Sequence, residues 1–218
     1  MQYRTIANLN LYDSPDLNRL ATQAAVGRYI KILSDSPIEG MTCEDDYSGW
    51  LDPSDLKFLE KTETPYQVSI WTAAEIRDRI PEIIAFTQAA MSVPNEYLWG
   101  GTVAPNYDCS GLMQAAFASV GIRLPRDAYQ QEAFLQPVEE LIPGDLVFFG
   151  TPEKATHVGL YLGDDRYIHS SGKELGRNGI GINQLSAEGD RVSRDYFALY
   201  RGAGRAISSY ISRQYDTD

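Results

Sequence analysis

Histidine is almost absent from this chain: its 218 residues include only His157 and His169. Cysteine is as scarce, with Cys43 and Cys109 alone, too few for a disulfide framework at this length, so free thiols are expected. Neither His-x-x-x-His nor Cys-x-x-Cys occurs, which weakens a zinc site built from Cys109, His157, His169 and an aspartate. No run of about 18 apolar residues is present to cross a bilayer. The start, Met1-Gln2-Tyr3-Arg4-Thr5, leads into mixed polar sequence without the basic, apolar and small-residue regions of a signal peptide, so a cytoplasmic location is expected. Positive charge is short as well. A net charge of −11 argues against nucleic acid or an anionic membrane surface as the main partner, and is compatible with a substrate carrying a free amine. Internal repeats and low-complexity stretches are also missing.

What is present is ordinary globular material, 43% hydrophobic and 22% charged, enough for one large or two small domains. Residues 1–60 hold short β-type runs broken by turns: Asn10-Leu11-Tyr12 before Asp13-Ser14-Pro15, Tyr29 to Leu33 before Ser36-Pro37, Ser48 to Leu51 before Asp52-Pro53. Such a pattern predicts a small barrel or sandwich. Residues 61–71 read as a linker, opening on polar, aperiodic sequence that ends in Pro65. From residue 72 the signals turn helical. Thr72 with Glu75 fits a capping box, and Pro81 is expected to start a second helix that runs through Ile84 to about Met91. Asp108 caps a further helix whose apolar face is Leu112, Met113, Ala116, Phe117 and Val120, ended by Gly121. Strands are then expected at 146–149, 157–162, 166–169 and 196–201. Helices first and antiparallel strands after predict an α+β domain over 72–218.

Cys109 opens a helix, and both histidines lie downstream on β-type segments. That arrangement suits a Cys-His nucleophile, whose groups meet in space and not in sequence. A thiol at a helix start also gains thiolate character from unpaired N–H groups and the positive end of the dipole. An ion-paired Cys109 would alkylate rapidly below neutral pH and an ordinary thiol slowly. The competing interpretation is a buried cysteine acting as a small hydrophobe; polar flanks Asp108 and Ser110 and the glycines Gly100, Gly101 and Gly111 count against it. Gly163-Asp164-Asp165 reads as a hairpin turn that brings His157 and His169 side by side, one as base and one as orienter.

The ordered blocks Tyr97-Leu98-Trp99-Gly100-Gly101, Asp108-Cys109-Ser110-Gly111-Leu112, Gly121 to Arg126, Gln130, Pro143 to Phe149, His157 to Gly163 and Tyr167-Ile168-His169 resemble the NlpC/P60 cysteine peptidases over about residues 72–201. The resemblance implies a papain-like fold and hydrolysis of cell-wall peptides. It makes Cys109 the nucleophile, His157 the general base, His169 the orienting residue and Tyr97 an oxyanion ligand through its hydroxyl, with Trp99 left to packing. Residues 1–60, with Asp46 to Leu51 as the clearest block, are similar to a bacterial SH3 domain. Together the two resemble γ-D-glutamyl-L-diamino acid endopeptidases, which cut murein peptides bearing a free N-terminal L-Ala. That likeness implies amine recognition by Tyr47 and Asp108, with Glu44 as a weaker candidate, and peptide contacts from Ser110, Arg126 and Asp127. The alternatives are plain: Tyr47 and Glu44 as surface polar groups of a hairpin, and Arg126 as a surface cation, although its fork suits the α-carboxylate of D-Glu. Arg177 and Arg191 carry no assignment. The expected partner is a murein peptide, in wall recycling or turnover, with no cofactor and no metal. Rival functions are a cell-wall-binding module without turnover and a papain-like acyltransferase or amidase.

Overall fold

Short strands with inward residues at every second position build the N-terminal part of the computed structural model, which describes residues 1–175 and 177–213. They are β1 (Gln2–Thr5), β2 (Leu9–Tyr12), β3 (Leu20–Ala24), β4 (Tyr29–Asp35), β5 (Ile38–Thr42), β6 (Ser48–Trp50) and β7 (Leu59–Lys61). One antiparallel sheet, ordered β3-β2-β6-β5-β4-β1-β7, encloses Leu9, Leu11, Ala24, Ile30, Ile38 and Leu51. Residues 62–72 carry neither helix nor strand and lead to α1 (Ala73–Ser92).

Thr72 and Glu75 close the capping box at the start of α1, with Glu75 N–H donating to Thr72 Oγ1 at 3.3 Å and Thr72 N–H to Glu75 Oε2 at 2.8 Å. The helix does not restart at Pro81; it runs through it without a break. Both Pro81 and Arg77, whose carbonyl loses its helical donor there, lie on the exposed face, where the vacant acceptor is open to solvent. A two-strand turn, β8 (Thr102–Val103) and β9 (Asn106–Tyr107), delivers the chain to α2 (Cys109–Ala118) and then α3 (Ala128–Phe134). The remaining elements are β10 (Gln136–Val138), β11 (Leu146–Gly150), β12 (Ala155–Gly163), β13 (Arg166–Ser171), β14 (Gly179–Gln184), α4 (Arg191–Phe197) and β15 (Tyr200–Arg205). The strand expected over 196–201 is therefore replaced by a helix end and a later strand. Asp190 accepts from Ser193 N–H and starts α4, which the apolar pattern alone did not reveal.

The second sheet is antiparallel in the order β10-β15-β11-β12-β13-β14, with α1 and α2 packed beside it. α2 is buried nearly all round, which explains its run of apolar and small residues. The two parts meet along polar seams. Thr102 donates its hydroxyl to the Gln23 carbonyl at 2.8 Å, and Gln114 of α2 donates to Asp45 at 2.7 Å. Tyr210, Ser212 and Arg213 all donate to the Asp46 carboxylate. Gly100 sits at φ +79°, pressed against the backbone of Leu20, so this position requires glycine. No helix among the described residues is long and apolar enough to cross a membrane.

Gly111 packs its α-carbon onto the Gly101 carbonyl, and a Cβ there would enter that oxygen. Gly111→Ala is expected to cost about 2–4 kcal/mol, since rigid backbone must move. Urea denaturation measures this, and an unchanged midpoint would refute it.

Candidate active site

α2 begins at Cys109 because Asp108 supplies its cap. Asp108 Oδ1 accepts from Gly111 N–H at 2.7 Å, and Oδ2 accepts from Gly100 N–H at 2.9 Å. Both oxygens also meet Arg126, which donates from Nη2 to Oδ2 at 2.6 Å and from Nη1 to Oδ1 at 3.2 Å. Nη1 reaches Ser110 Oγ at 3.0 Å, and Nε reaches Thr22 Oγ1 of β3 at 2.8 Å. The pair is buried, with Arg126 only 1% exposed. Arg126 is thus neither a surface cation nor a free fork for a substrate carboxylate.

Burial first, and the Asp108 carboxylate second, push the Cys109 thiol up to about 12, against the backbone hydrogen bonds from Val158 and Ser110 that favour the thiolate. Burial and this neighbouring negative charge together outweigh the hydrogen bonds and the Arg126 charge that favour the thiolate. Both causes favour the thiol over the thiolate at Cys109.

His157 on β12 and His169 on β13 share one face of the sheet. Leu160 faces Ile168 in the register, so the two histidines are diagonal neighbours rather than opposite each other. Gly159 lies between them, where a Cβ would strike Tyr167, and this gap lets the rings meet. His157 Nε2 lies 2.7 Å from His169 Nδ1, and His169 Nε2 lies 3.0 Å from Asn183 Oδ1. The proton positions follow from the far end of this chain. Asn183 Nδ2 donates to Asp190 and Ser193, while Arg177, which can only donate, bonds to Oδ1. His169 must then carry its proton on Nε2, accept at Nδ1 from His157 Nε2–H, and leave His157 Nδ1 as the free base. Tyr196 stacks on His157 with centroids 4.2 Å apart, and its hydroxyl lies 3.5 Å from Nδ1. Burial, reinforced by His169, holds His157 well below the ordinary imidazole range, and burial lowers His169 to about 4. Burial thus favours the neutral form of both imidazoles, as it does the neutral thiol of Cys109.

A cleft of about 370 Å³ brings Tyr47 together with Tyr97, Asp108, Cys109, Ser110 and Asp127. Burial and then Cys109 raise the Tyr97 hydroxyl above its usual range, so it stays protonated as a donor. Tyr47 is pushed up to about 12 by burial and next by Asp127. Burial, opposed by Arg126 and aided by Asp108, also raises the Asp127 carboxyl. Glu44 takes no part in the cleft. It is 2% exposed, with Oε2 3.0 Å from Arg28 Nε and Oε1 accepting from Tyr29 N–H, because Arg28 draws it inward. Trp99 is a cleft wall rather than packing, 57% exposed beneath the Arg19 guanidinium. Asn183, Tyr196 and Arg177 had no assigned role in the sequence. Asn183 left one signal, a polar residue on the same face as Gly179 and Gly181, opposite the histidine strand. Among the described residues no cluster of three or more His, Cys, Asp or Glu side chains is arranged for a metal ion.

Residues 94–201 match the model of the NlpC/P60 family, and residues 11–56 match that of the bacterial dipeptidyl-peptidase Sh3 domain. The chain is 43% identical over 81 residues to the bifunctional muramidase/DL-endopeptidase CwlT of Bacillus subtilis, covering 34% of this chain and 25% of that protein. It is 40% identical over 86 residues to the gamma-D-glutamyl-L-lysine dipeptidyl-peptidase of the same organism, covering 36% and 29%. Against dipeptidyl-peptidase 6 of Lysinibacillus sphaericus it is 35% identical over 140 residues, covering 60% and 48%. The chain thus spans less than half the length of these relatives. The crystal structure of an NlpC/P60 family protein from Bacillus cereus covers 95% of this chain and all of that one, with a TM-score of 0.71 at 18% identity, a likeness of fold.

Two outcomes follow from the neutral resting pair. Alkylation of Cys109 by iodoacetamide is expected to be slower at pH 7 than that of a small free thiol and to climb steeply above pH 9; a fast, flat rate from pH 5 to 8 would reveal an ion pair instead. The depressed imidazoles also bind protons more weakly folded than unfolded. Their contribution to stability is present above pH 6.5 and is lost as pH falls toward about 4. Urea midpoints across that window should fall, and less so in His169→Gln.

Proposed function

From a chain that carries an NlpC/P60 family domain behind a bacterial SH3 domain, we propose a cysteine endopeptidase that hydrolyses the γ-D-glutamyl-L-diamino acid bond of murein peptides with a free N-terminal L-Ala. The observation that carries this reading is the cleft itself. It runs past the nucleophile and is walled at one side by Tyr47 from the N-terminal domain, next to Asp127. An ammonium entering a partly desolvated pocket requires an anionic or hydroxyl acceptor, and these two groups supply both. Asp108 contributes differently, since its oxygens already accept from Gly100, Gly111 and Arg126. It fixes the cleft floor, and amine binding shifts toward Asp127.

The chemistry follows from the neutral pair. As Cys109 Sγ attacks the γ-carbonyl carbon, its proton passes to His157 Nδ1, and the imidazolium is steadied through Nε2–H by His169 and Asn183. The developing oxyanion takes hydrogen bonds from the Cys109 N–H, in a first turn that has no intrahelical partners, and from the Tyr97 hydroxyl. His157 returns the proton to the leaving amine of the diamino acid. Water, with its proton taken by His157, then attacks the thioester, and the thiol is restored. Dependence on a free amine restricts the substrate to peptides released from the glycan strands, where L-Ala is no longer acylated.

Cys109→Ala is expected to abolish cleavage of L-Ala-γ-D-Glu-diaminopimelate, read by mass spectrometry, without changing the thermal transition by more than a few degrees. Acetylating the L-Ala amine should raise KM at least tenfold, roughly the worth of one charge-assisted hydrogen bond. Undiminished turnover in the variant, or equal cleavage of the acetylated peptide, would sink the respective part.

A further inference from the structure

Six charged side chains line the cleft: Asp13, Asp108 and Asp127 on one side of the ledger of charge, Arg19, Arg126 and Lys154 on the other. Four of them neutralise each other. Arg126 pairs with Asp108 at 2.6 Å, and Arg19 with Asp13 at 3.5 Å. Among the described residues this leaves one carboxylate and one ammonium in the cleft outside any ion pair, Asp127 and Lys154. They are not scattered. Tyr129 joins them, with its hydroxyl hydrogen-bonded to the Asp127 carboxylate and its ring face 5.6 Å below Lys154 Nζ.

The acyl half of the proposed substrate carries the complementary pair of charges. L-Ala-γ-D-Glu has one free ammonium and one α-carboxylate on the D-Glu. Adjacent α-carbons lie about 3.8 Å apart, which puts the two charges roughly 6 Å from one another. In the cleft the two unpaired groups both adjoin one side chain, Tyr129, whose ring centroid is 5.6 Å from Lys154 Nζ. The position along the chain agrees. Lys154 precedes His157 by three residues, leads into the strand that carries the base and lines the same cleft as Cys109, and in the substrate the α-carboxylate branches three bonds from the γ-carbonyl carbon.

We propose that Lys154 is the α-carboxylate subsite of this cleft, binding the free carboxylate of D-Glu while Asp127 and Tyr47 hold the ammonium. The proposal rests on the hydrolytic reading above and deepens it. It assigns to Lys154 the contact that the fork of Arg126 would make if Asp108 did not occupy it. A specificity follows. The enzyme distinguishes D-Glu from its α-carboxamide, D-isoglutamine, because only the acid offers Lys154 a charge.

The test compares kcat/KM of the wild type, Lys154→Met and Lys154→Arg on L-Ala-γ-D-Glu-diaminopimelate and on the same peptide with the D-Glu α-carboxyl amidated. Methionine keeps an unbranched stem over Tyr129 and removes the charge. The wild type is expected to prefer the acid by roughly tenfold, mainly through KM. In Lys154→Met that preference should collapse to near unity, and in Lys154→Arg it should persist. Equal losses on both peptides in Lys154→Met, or a wild type that does not discriminate, would overturn the subsite while leaving hydrolysis standing. A wild type that cleaves neither peptide overturns the hydrolytic reading and the subsite with it.

Discussion

The buried ion pair between Arg126 and Asp108 is the contact on which the site depends. Two charges withdrawn from water are tolerable only when the remaining donors and acceptors are well used, and here four of the five guanidinium N–H groups and both carboxylate oxygens are bonded. Asp108 takes the backbone N–H groups of Gly100 and Gly111, and Arg126 takes Ser110 and Thr22. Through these bonds one carboxylate starts the nucleophile helix and holds the glycine turn ahead of it. The guanidinium then ties both to a strand of the other domain. Removing either partner would strand the other charge, a loss on the order of 3–5 kcal/mol.

The same pair bears on the electrostatics of Cys109. Burial opposes a thiolate most, the carboxylate directly before the sulfur opposes it further, and Arg126 offsets part of that. The imidazoles are equally dry, enclosed by Tyr196, Tyr167 and Phe149. An ionised resting dyad is therefore unfavourable on both sides, and charge separation waits for substrate. The hydrogen-bonded chain from His157 through His169 to Asn183 prepares for that moment by fixing which nitrogen is free.

Much of this was legible along the chain, and the failures have identifiable causes. Asp108, Cys109 and the two β-borne histidines stand out because caps and strand faces are local features. Pro81 misled because its position on an exposed helix face is not visible from its neighbours. Glu44 and Trp99 were misread for a related reason: exposure depends on who sits opposite. Arg28 draws Glu44 inward, and the seam leaves Trp99 in the open. Asn183 and Tyr196 arrive from later elements and touch the histidines only after the sheet has closed.

By itself, then, the sequence determined the reactive groups, the order of elements and the two-part α+β build, since these follow from residue chemistry and short-range periodicity. Tertiary structure alone decided which charges cancel, which imidazole nitrogen stays free and that burial favours the thiol form of the cysteine. Those properties are set by burial and by partners up to 104 residues apart, as between Thr22 and Arg126. No local pattern encodes a desolvation energy or a distant neighbour, so only the folded chain could settle them.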